Sequence, residues 1–478
     1  MQASSPPPAR PDDSGPPPSR VARVAVLGAG ITGLTAAWHL QRTGHAPTVF
    51  EKSARVGGAI GAHREGGWLH ELGPNSLLEG STELATFVDA VGLGARRLYA
   101  ADAAKKRYLV RDGRLVAMPD SPRTFLTTKL FSWRAKAGLA LEPFRPRSAA
   151  DADESVADFV VRRLGREFLD YAINPSVGGV YAGDPRRLSV RHGFPKLFAL
   201  EQEHGSLLRG AFARRNTSGG PKGRIFSFPE GLGEMPQALA RALGDRVRLE
   251  TRVHAVRRLP TGWEVEFSPG AEAPRCELFD AVVCALPADA LAALHLEGVN
   301  VAARLDSLAT IEHPPVASVF TGFRREDVPH PLDGFGVLVP EVERAKILGT
   351  LFSSSMFPGR APAGHVALTS FVGGVRQPEL ARRPPDEIVA LVREELARLV
   401  GVRAAPVYCR VQQWPRAIPQ YELGYQRHKD TIAAIEAAAP GFFIGGNCRD
   451  GISLSNCIES GRRLAGAVGA RRHDAGTR

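Results

Sequence analysis

The segment Val24-Ala-Val-Leu-Gly28-Ala29-Gly30-Ile31-Thr32-Gly33-Leu34, followed by Pro47-Thr-Val-Phe50-Glu51-Lys52 and Arg55-Val-Gly57-Gly58, sets out a strand, a glycine turn, a helix and a second strand. The apolar run 24–27 fits a buried parallel strand, and residues 34–40 begin an amphipathic helix. Gly28 supplies backbone angles closed to other residues, Gly30 lets the main chain approach a pyrophosphate, and Gly33 lets the helix pack on the strand. The helix start then offers free N–H groups and partial positive charge to phosphates. Glu51 lies eighteen residues beyond Gly33, where a carboxylate can accept from a ribose diol. The pattern predicts a dinucleotide socket in a doubly wound α/β domain.

At 478 residues the chain exceeds one hydrophobic core, so two or three domains are expected. Residues 1–20 are rich in Pro, Ser and Gly and nearly free of apolar side chains, which reads as a disordered tail without the apolar stretch of a secretory signal. The net charge of +11 does not point to nucleic acid, because the arginines are scattered and form no compact recognition motif. Anionic membranes and anionic small molecules stay open as partners. No apolar run is long enough to span a bilayer. Cys276, Cys284, Cys409, Cys448 and Cys457 form no CxxC pair and read as reduced, buried thiols. The histidines show no ligand spacing, so no metal site is expected and redox chemistry would need an organic cofactor.

The sheet of the first domain resumes late in the chain. A helix from Gly231, strands at 247–250, 253–256 and 263–267, and the apolar strand before Pro287 lead to Gly441-Phe-Phe-Ile-Gly445-Gly446, a last strand running into a glycine turn. Ser455 or Asn456 is expected to cap the helix that follows. Between 120 and 215 the periodicity is helical. Residues 121–147 interleave Arg123, Lys129, Arg134, Lys136, Arg145 and Arg147 with Phe125, Leu126, Leu130, Phe131, Trp133 and Phe144. That mixture suits a membrane interface, and equally a helical unit with an aromatic core and a solvated basic face. Alternating segments at 316–323, 347–352 and 366–371 suggest an antiparallel sheet walling a pocket.

Taken together, the glycine turn, Arg55-Val-Gly57-Gly58 and the terminal Gly445-Gly446…Asp450-Gly451 resemble the FAD-dependent amine-oxidase-like superfamily over nearly everything after Val21. Within it, Leu72-Gly73-Pro74-Asn75-Ser76, Gly178-Gly179-Val180-Tyr181-Ala182-Gly183-Asp184-Pro185, Gly334-Phe-Gly336-Val-Leu338-Val-Pro340, Ile418-Pro419-Gln420-Tyr421 and Asn456-Cys457-Ile458-Glu459-Ser460-Gly461 resemble the oxygen-dependent protoporphyrinogen oxidase family.

The resemblance implies an α/β fold: a Rossmann-like FAD-binding domain (21–94, 216–292 and 436–470), an inserted α+β substrate domain (95–119 and 293–435) and a helical, membrane-associated subdomain (120–215). It implies non-covalent FAD held by Gly28, Ala29, Gly30, Ile31, Thr32, Gly33, Glu51, Lys52, Arg55, Gly58, Gly73, Pro74, Asn75, Ser76, Val253, Trp414, Gly446, Ile452, Ser453 and Leu454. It also implies a substrate propionate on Arg107, a macrocycle against the Gly179 backbone, and an apolar sandwich of Leu338, Leu351 and Phe371. The implied reaction is six-electron oxidation of protoporphyrinogen IX with dioxygen as acceptor, in haem biosynthesis, and no general acid or base stands out for it. Coproporphyrinogen III oxidation is the nearest rival; an amine oxidase, a desaturase or a non-catalytic flavin-binding scaffold are further ones. Nucleic acid is not an expected partner, while a membrane surface and a homodimer stay open. The expected location is cytoplasmic, with a peripheral place on the cytoplasmic membrane open.

Overall fold

The computed structural model describes residues 21–149, 151–217 and 223–476. The Pro-rich tail lies outside the described residues. A five-stranded parallel sheet runs in the order Val247–Arg248, Ala46–Phe50, Arg23–Leu27, Ala281–Cys284, Phe442–Ile444. Strands from both ends of the chain therefore meet in one sheet. Alternation along the first strand divides the packing. Val24 and Val26 join the core under the helices Ile31–Arg42, Glu234–Leu243 and Leu454–Gly476. Ala25 and Leu27 face the other way, onto Trp263, Val265, Phe267 and Phe279. Those residues belong to a second, four-stranded sheet, whose edge strand His295–Glu297 pairs parallel to Thr251–Leu259.

A seven-stranded sheet is built from Tyr408–Trp414, Val316–Arg324, His365–Gly373, Gly349–Leu351, Gly336–Leu338, Arg107–Arg111 and Arg114–Ala117, in that order. It is antiparallel except where Gly336–Leu338 runs parallel to Arg107–Arg111. One face carries Val319, Val337, Leu368 and Val372 onto the helix Pro385–Val400. That helix presents Ile388, Leu391, Val392, Leu396 and Leu399 at helical spacing, has Asp386 and Glu387 in its first turn, and stops at Gly401 with φ +73°.

Helices crowd the region 122–217. Ser121, Ser132 and Ser155 each accept a backbone N–H as N-caps. The basic, aromatic segment divides by burial. Leu130 and Phe131 lie in the core with Phe159 and Phe168, Phe131 stacking on Phe168 at 4.3 Å. Trp133, Leu141 and Phe144 are 60–79% exposed.

Two expectations are corrected. Cys276 and Cys409 are exposed, and only Cys284, Cys448 and Cys457 are buried; the first two lie on edge strands, Arg275–Phe279 and Tyr408–Trp414, which have a neighbour on one side only. The last helix is capped by Ser453 rather than Ser455 or Asn456. Its Oγ accepts the Asn456 N–H at 3.1 Å, because the helix begins at Leu454 and places Asn456 at the third helical position.

Candidate functional site

The glycine turn is shaped for an anion. Gly28 has φ +97°, and a Cβ on Gly33 would stand 2.0 Å from the Gly28 carbonyl oxygen. A Cβ on Gly30, by contrast, would enter open space, so the main chain is bare toward a ligand at that point. The helix Ile31–Arg42 has no side-chain N-cap and no acidic residue in its first turn. Its leading N–H groups and partial positive charge are left for something negative. Gly57 donates to the Ala29 carbonyl at 2.8 Å, and a Cβ on Gly58 would lie 3.6 Å from Gly30 Cα, so the second glycine pair lines the same cradle. The buried Glu51 carboxylate accepts from Ala29 N and Ser53 N, both at 2.9 Å. One acceptor position on each oxygen stays available for a diol.

The remaining cofactor candidates divide. Gly73 packs against the loop after Gly57–Gly58, since a Cβ there would meet the Ala59 oxygen at 2.3 Å; Pro74, Asn75 and Ser76 follow it in the chain, and Asn75 Nδ2 donates to the Gly73 carbonyl at 3.0 Å. Gly446 sits over Thr32, with 3.7 Å from its would-be Cβ to Thr32 Oγ1. Ile452 packs against both the small-sheet core and the helical core, and Leu454 against the first-helix core. Val253 packs on the small-sheet core beside a register shift in its strand. Trp414 pairs with Val316, and its Nε1 donates to the Leu72 carbonyl at 2.8 Å. Arg55 behaves differently: its guanidinium donates to the carbonyls of Gly58 at 2.7 Å and Ile60 at 3.0 Å, so it braces the loop from within. Lys52 is exposed beside Glu51.

Strand register gathers the substrate candidates. Residues paired across a sheet share a face. Arg107, Gly336, Leu351, Thr369 and Phe320 form one such row. Leu109, Leu338, Gly349, Phe371 and Ser318 form the next. Arg107, Leu338, Leu351 and Phe371 thus stand on one face, opposite the one packed on the helix Pro385–Val400. Gly179, in the helix Asn174–Tyr181, is exposed and lies against this wall: a Cβ there would stand 2.5 Å from Leu338 Cδ2. Lys106 and Tyr108 both bond Asp333. Arg107 is exposed, packs over Phe335 at 5.7 Å, and has no carboxylate partner among the described residues.

Sequence reasoning missed the residues that brace these parts. Arg376 donates to the Val339 carbonyl and to Asn174 Oδ1, both at 3.1 Å, fastening the Gly179 helix to the strand that ends at Leu338. Tyr421, whose phenol burial raises well above its usual range, donates to the Asn447 carbonyl at 2.5 Å and accepts from Gly451 N at 2.9 Å, holding the terminal turn. Glu71 and His70 close the buried strand Trp68–Glu71. Burial pushes the Glu71 carboxyl up to about 7 against the opposing pull of Arg360, and pushes the His70 imidazole down to about 4. Neither His70 nor Glu71 carries a local signal, since the strand reads Trp-Leu-His-Glu and its burial comes from segments distant in the chain. Among the described residues no cluster of His, Cys, Asp or Glu has the geometry to hold a metal ion, and no helix is long and apolar enough to cross a membrane.

Residues 31–469 match the family of flavin-containing amine oxidoreductases. The chain is 35% identical to protoporphyrinogen oxidase 2, chloroplastic/mitochondrial, of Arabidopsis thaliana, over 93% of both chains. It is 29% identical to coproporphyrinogen III oxidase of Staphylococcus aureus, over 93% of this chain and 98% of that one. Its fold superposes with TM-score 0.78 and 23% identity on a crystal structure from Exiguobacterium sp. 255-15, assigned by its name as a protoporphyrinogen oxidase, covering 94% of this chain and 99% of that one.

Proposed function

Because the chain belongs to the flavin-containing amine oxidoreductases and, within them, to the protoporphyrinogen oxidase family, we propose that it oxidises protoporphyrinogen IX to protoporphyrin IX at a non-covalent FAD. Three two-electron steps remove six electrons, and dioxygen is the acceptor, giving hydrogen peroxide. The cofactor supplies the redox chemistry. This chain's residues supply the cradle, an apolar wall and one carboxylate anchor.

The observation that carries the reading is the shared face of Arg107, Leu338, Leu351 and Phe371 with Gly179 across from it. The apolar side chains of that face suit the rim of a macrocycle, and a guanidinium at the end of one row suits a propionate. Coproporphyrinogen III, with two further propionates, is the second reading, favoured by the Staphylococcus relative. Against it, the next arginine in the Arg107 row, Arg410, is already paired with Glu65.

Oxygen uptake by the purified yellow protein with each porphyrinogen tests the choice. Protoporphyrinogen IX should be the better substrate, and a large preference for coproporphyrinogen III overturns it. Arg107→Ala should raise KM about tenfold or more, since a charge-assisted pair contributes about 1.5–3 kcal/mol; an unchanged KM removes Arg107 from the site.

On this reading residues 95–119 and 293–435 hold the substrate and 120–215 dock at a membrane, peripherally and on its cytoplasmic side. Support comes from exposed Leu126, Trp133, Leu141 and Phe144 among exposed Arg123, Lys129, Arg134 and Arg147. Vesicles containing anionic lipid should retain the protein at low salt, and Trp133→Ser with Phe144→Ser should release it. Equal retention of both removes the docking role.

A further inference from the structure

A small chamber lies on the same face of the seven-stranded sheet as Arg107 and Leu351, against Thr369 and Phe320. His70, Glu71, Asn75, Ser353, Arg360 and Thr369 supply its polar lining. Asn75 comes from the segment packed on the cradle, and Thr369 shares a sheet row with Leu351 and Arg107, so the chamber adjoins both the cofactor side and the substrate side. Ser353 Oγ and Thr369 Oγ1 are hydrogen-bonded at 2.8 Å. Glu71 accepts from Leu232 N at 3.0 Å and from Arg360 Nη2 at 3.2 Å. Two atoms of the lining side chains, Arg360 Nη1 and His70 Nδ1, are buried without a hydrogen-bond partner among the described residues. Arg360 is 2% exposed and His70 7%.

Buried polar groups of this kind are nearly always paired, by water where protein does not serve. The chamber's free volume of about 10 Å³ is on the order of what one water needs.

The geometry points to a bound water in this chamber that, with the Glu71 carboxyl, forms an internal proton-exchange site for the redox cycle. The inference rests on the proposed porphyrinogen oxidation, whose proton balance calls for such a site. Each two-electron step removes from the substrate one hydride, which goes to the cofactor, and one separate proton. Dioxygen becomes hydrogen peroxide by taking the hydride's two electrons, its proton and one further proton. One proton is released in the first half and one is needed in the second. A single carboxylate that takes up a proton through the water, becomes the acid and later returns the proton matches that alternation.

The surroundings suit the role. Arg360, the Leu232 N–H and Ser227 favour the Glu71 carboxylate and Glu234 disfavours it; burial, with Glu234, outweighs the first three and pushes the carboxyl up to about 7. Burial and Arg64 oppose the charge on Arg360, while Glu71, Glu230 and Glu234 favour it. His63 and Arg410 oppose a charge on His70 and Glu65 favours one, and burial keeps that ring neutral. A neutral ring donates at one nitrogen and accepts at the other.

Glu71→Gln keeps size and one acceptor oxygen and removes the titration. Infrared difference spectra of the holoenzyme between pH 5 and 9 should show a carboxylic C=O band, shifted in D2O, that fades as pH rises through about 7 and is missing from the variant. The rate of the first half-reaction should lose its limb near neutrality in the variant. Should that variant fail to fold, a high-resolution crystal structure of the parent holoenzyme decides, with solvent expected within hydrogen-bond distance of Arg360 Nη1 and His70 Nδ1. An empty chamber, the same band in both proteins, or an unchanged limb overturns the proposal. A yellow protein that oxidises no porphyrinogen but shows the band and the water defeats the proposed function instead.

Discussion

Trp414 Nε1 donates to the Leu72 carbonyl at 2.8 Å across the junction between the seven-stranded sheet and the cofactor cradle. Leu72 in turn donates to the Gly61 carbonyl at 2.8 Å, and its neighbour Gly73 packs on Ala59. One indole N–H therefore ties the sheet that carries the apolar clamp to the loop that lines the cradle. Hydride transfer needs the donor carbon and its acceptor in near contact, so a joint of this kind sets catalytic geometry as well as stability.

Trp414→Phe preserves most of the ring packing and removes the donor. It should destabilise the protein by about 1 kcal/mol, the net contribution of a neutral hydrogen bond. It should also weaken flavin retention, measured as the fraction of yellow protein surviving gel filtration at a fixed dilution. Retention equal to the parent would separate this joint from the cradle.

Gly179→Ala should distinguish a recognition role from a structural one. The residue lies within the helix Asn174–Tyr181, where Ala is favoured over Gly by about 0.5–1 kcal/mol, so melting should not fall. The new Cβ, 2.5 Å from Leu338 Cδ2, must displace that leucine from its place against the helix. KM for the porphyrinogen should rise about tenfold, which corresponds to about 1.4 kcal/mol. Pairing the change with Leu338→Ala should recover part of the loss.

How far these features could be read beforehand follows the distance along the chain between the partners. The cradle was legible because Gly28, Gly30 and Gly33 act within one turn, and Glu51 follows at a spacing set by one helix and one strand. The wall was not legible from pattern alone. Leu338, Leu351 and Phe371 sit on three strands, and their common face depends on register, so only resemblance singled them out. Arg360 reaches Glu71 across 289 residues and Arg376 reaches Asn174 across 202, and neither carries a local signal. The helix cap slipped by two or three positions because Ser453, Ser455 and Asn456 are all competent caps and only the start of the helix chooses among them.

Acid should weaken the fold through histidines held neutral. Burial pushes His39 down to about 4, helped by Arg462 and Arg42, and pushes His70 down to about 4 as well. A depressed folded value means that the unfolded chain binds more protons between about 4 and 6.5, so the contribution present above 6.5 is lost as pH falls through that window. Glu71 has the opposite sign: its raised value contributes below 4.5 and is lost as pH rises toward 7. His39→Gln should therefore narrow its melting-temperature difference from the parent as pH is lowered from 7 to 4. A constant difference would show that His39 does not titrate abnormally.

The helical region stands on a buried charge, and its removal should be severe. Arg163 is fully buried, bonds the Glu142 carboxylate, and donates to the carbonyls of Arg145 at 2.8 Å and Gly205 at 2.9 Å. Burial alone would raise the Glu142 carboxyl. Ser206, the N–H groups of Leu207 and Leu208, and Arg163 outweigh it and hold the group below the usual range. That contribution is present above about pH 4.5 and lost as pH falls further. Arg163→Met strands the Glu142 charge in the interior and should cost about 3–5 kcal/mol at neutral pH. Adding Glu142→Gln removes the stranded charge and should restore part of the loss, read from denaturant midpoints of the single and double variants. Equal midpoints would mean that the pair contributes through its separate hydrogen bonds rather than through charge.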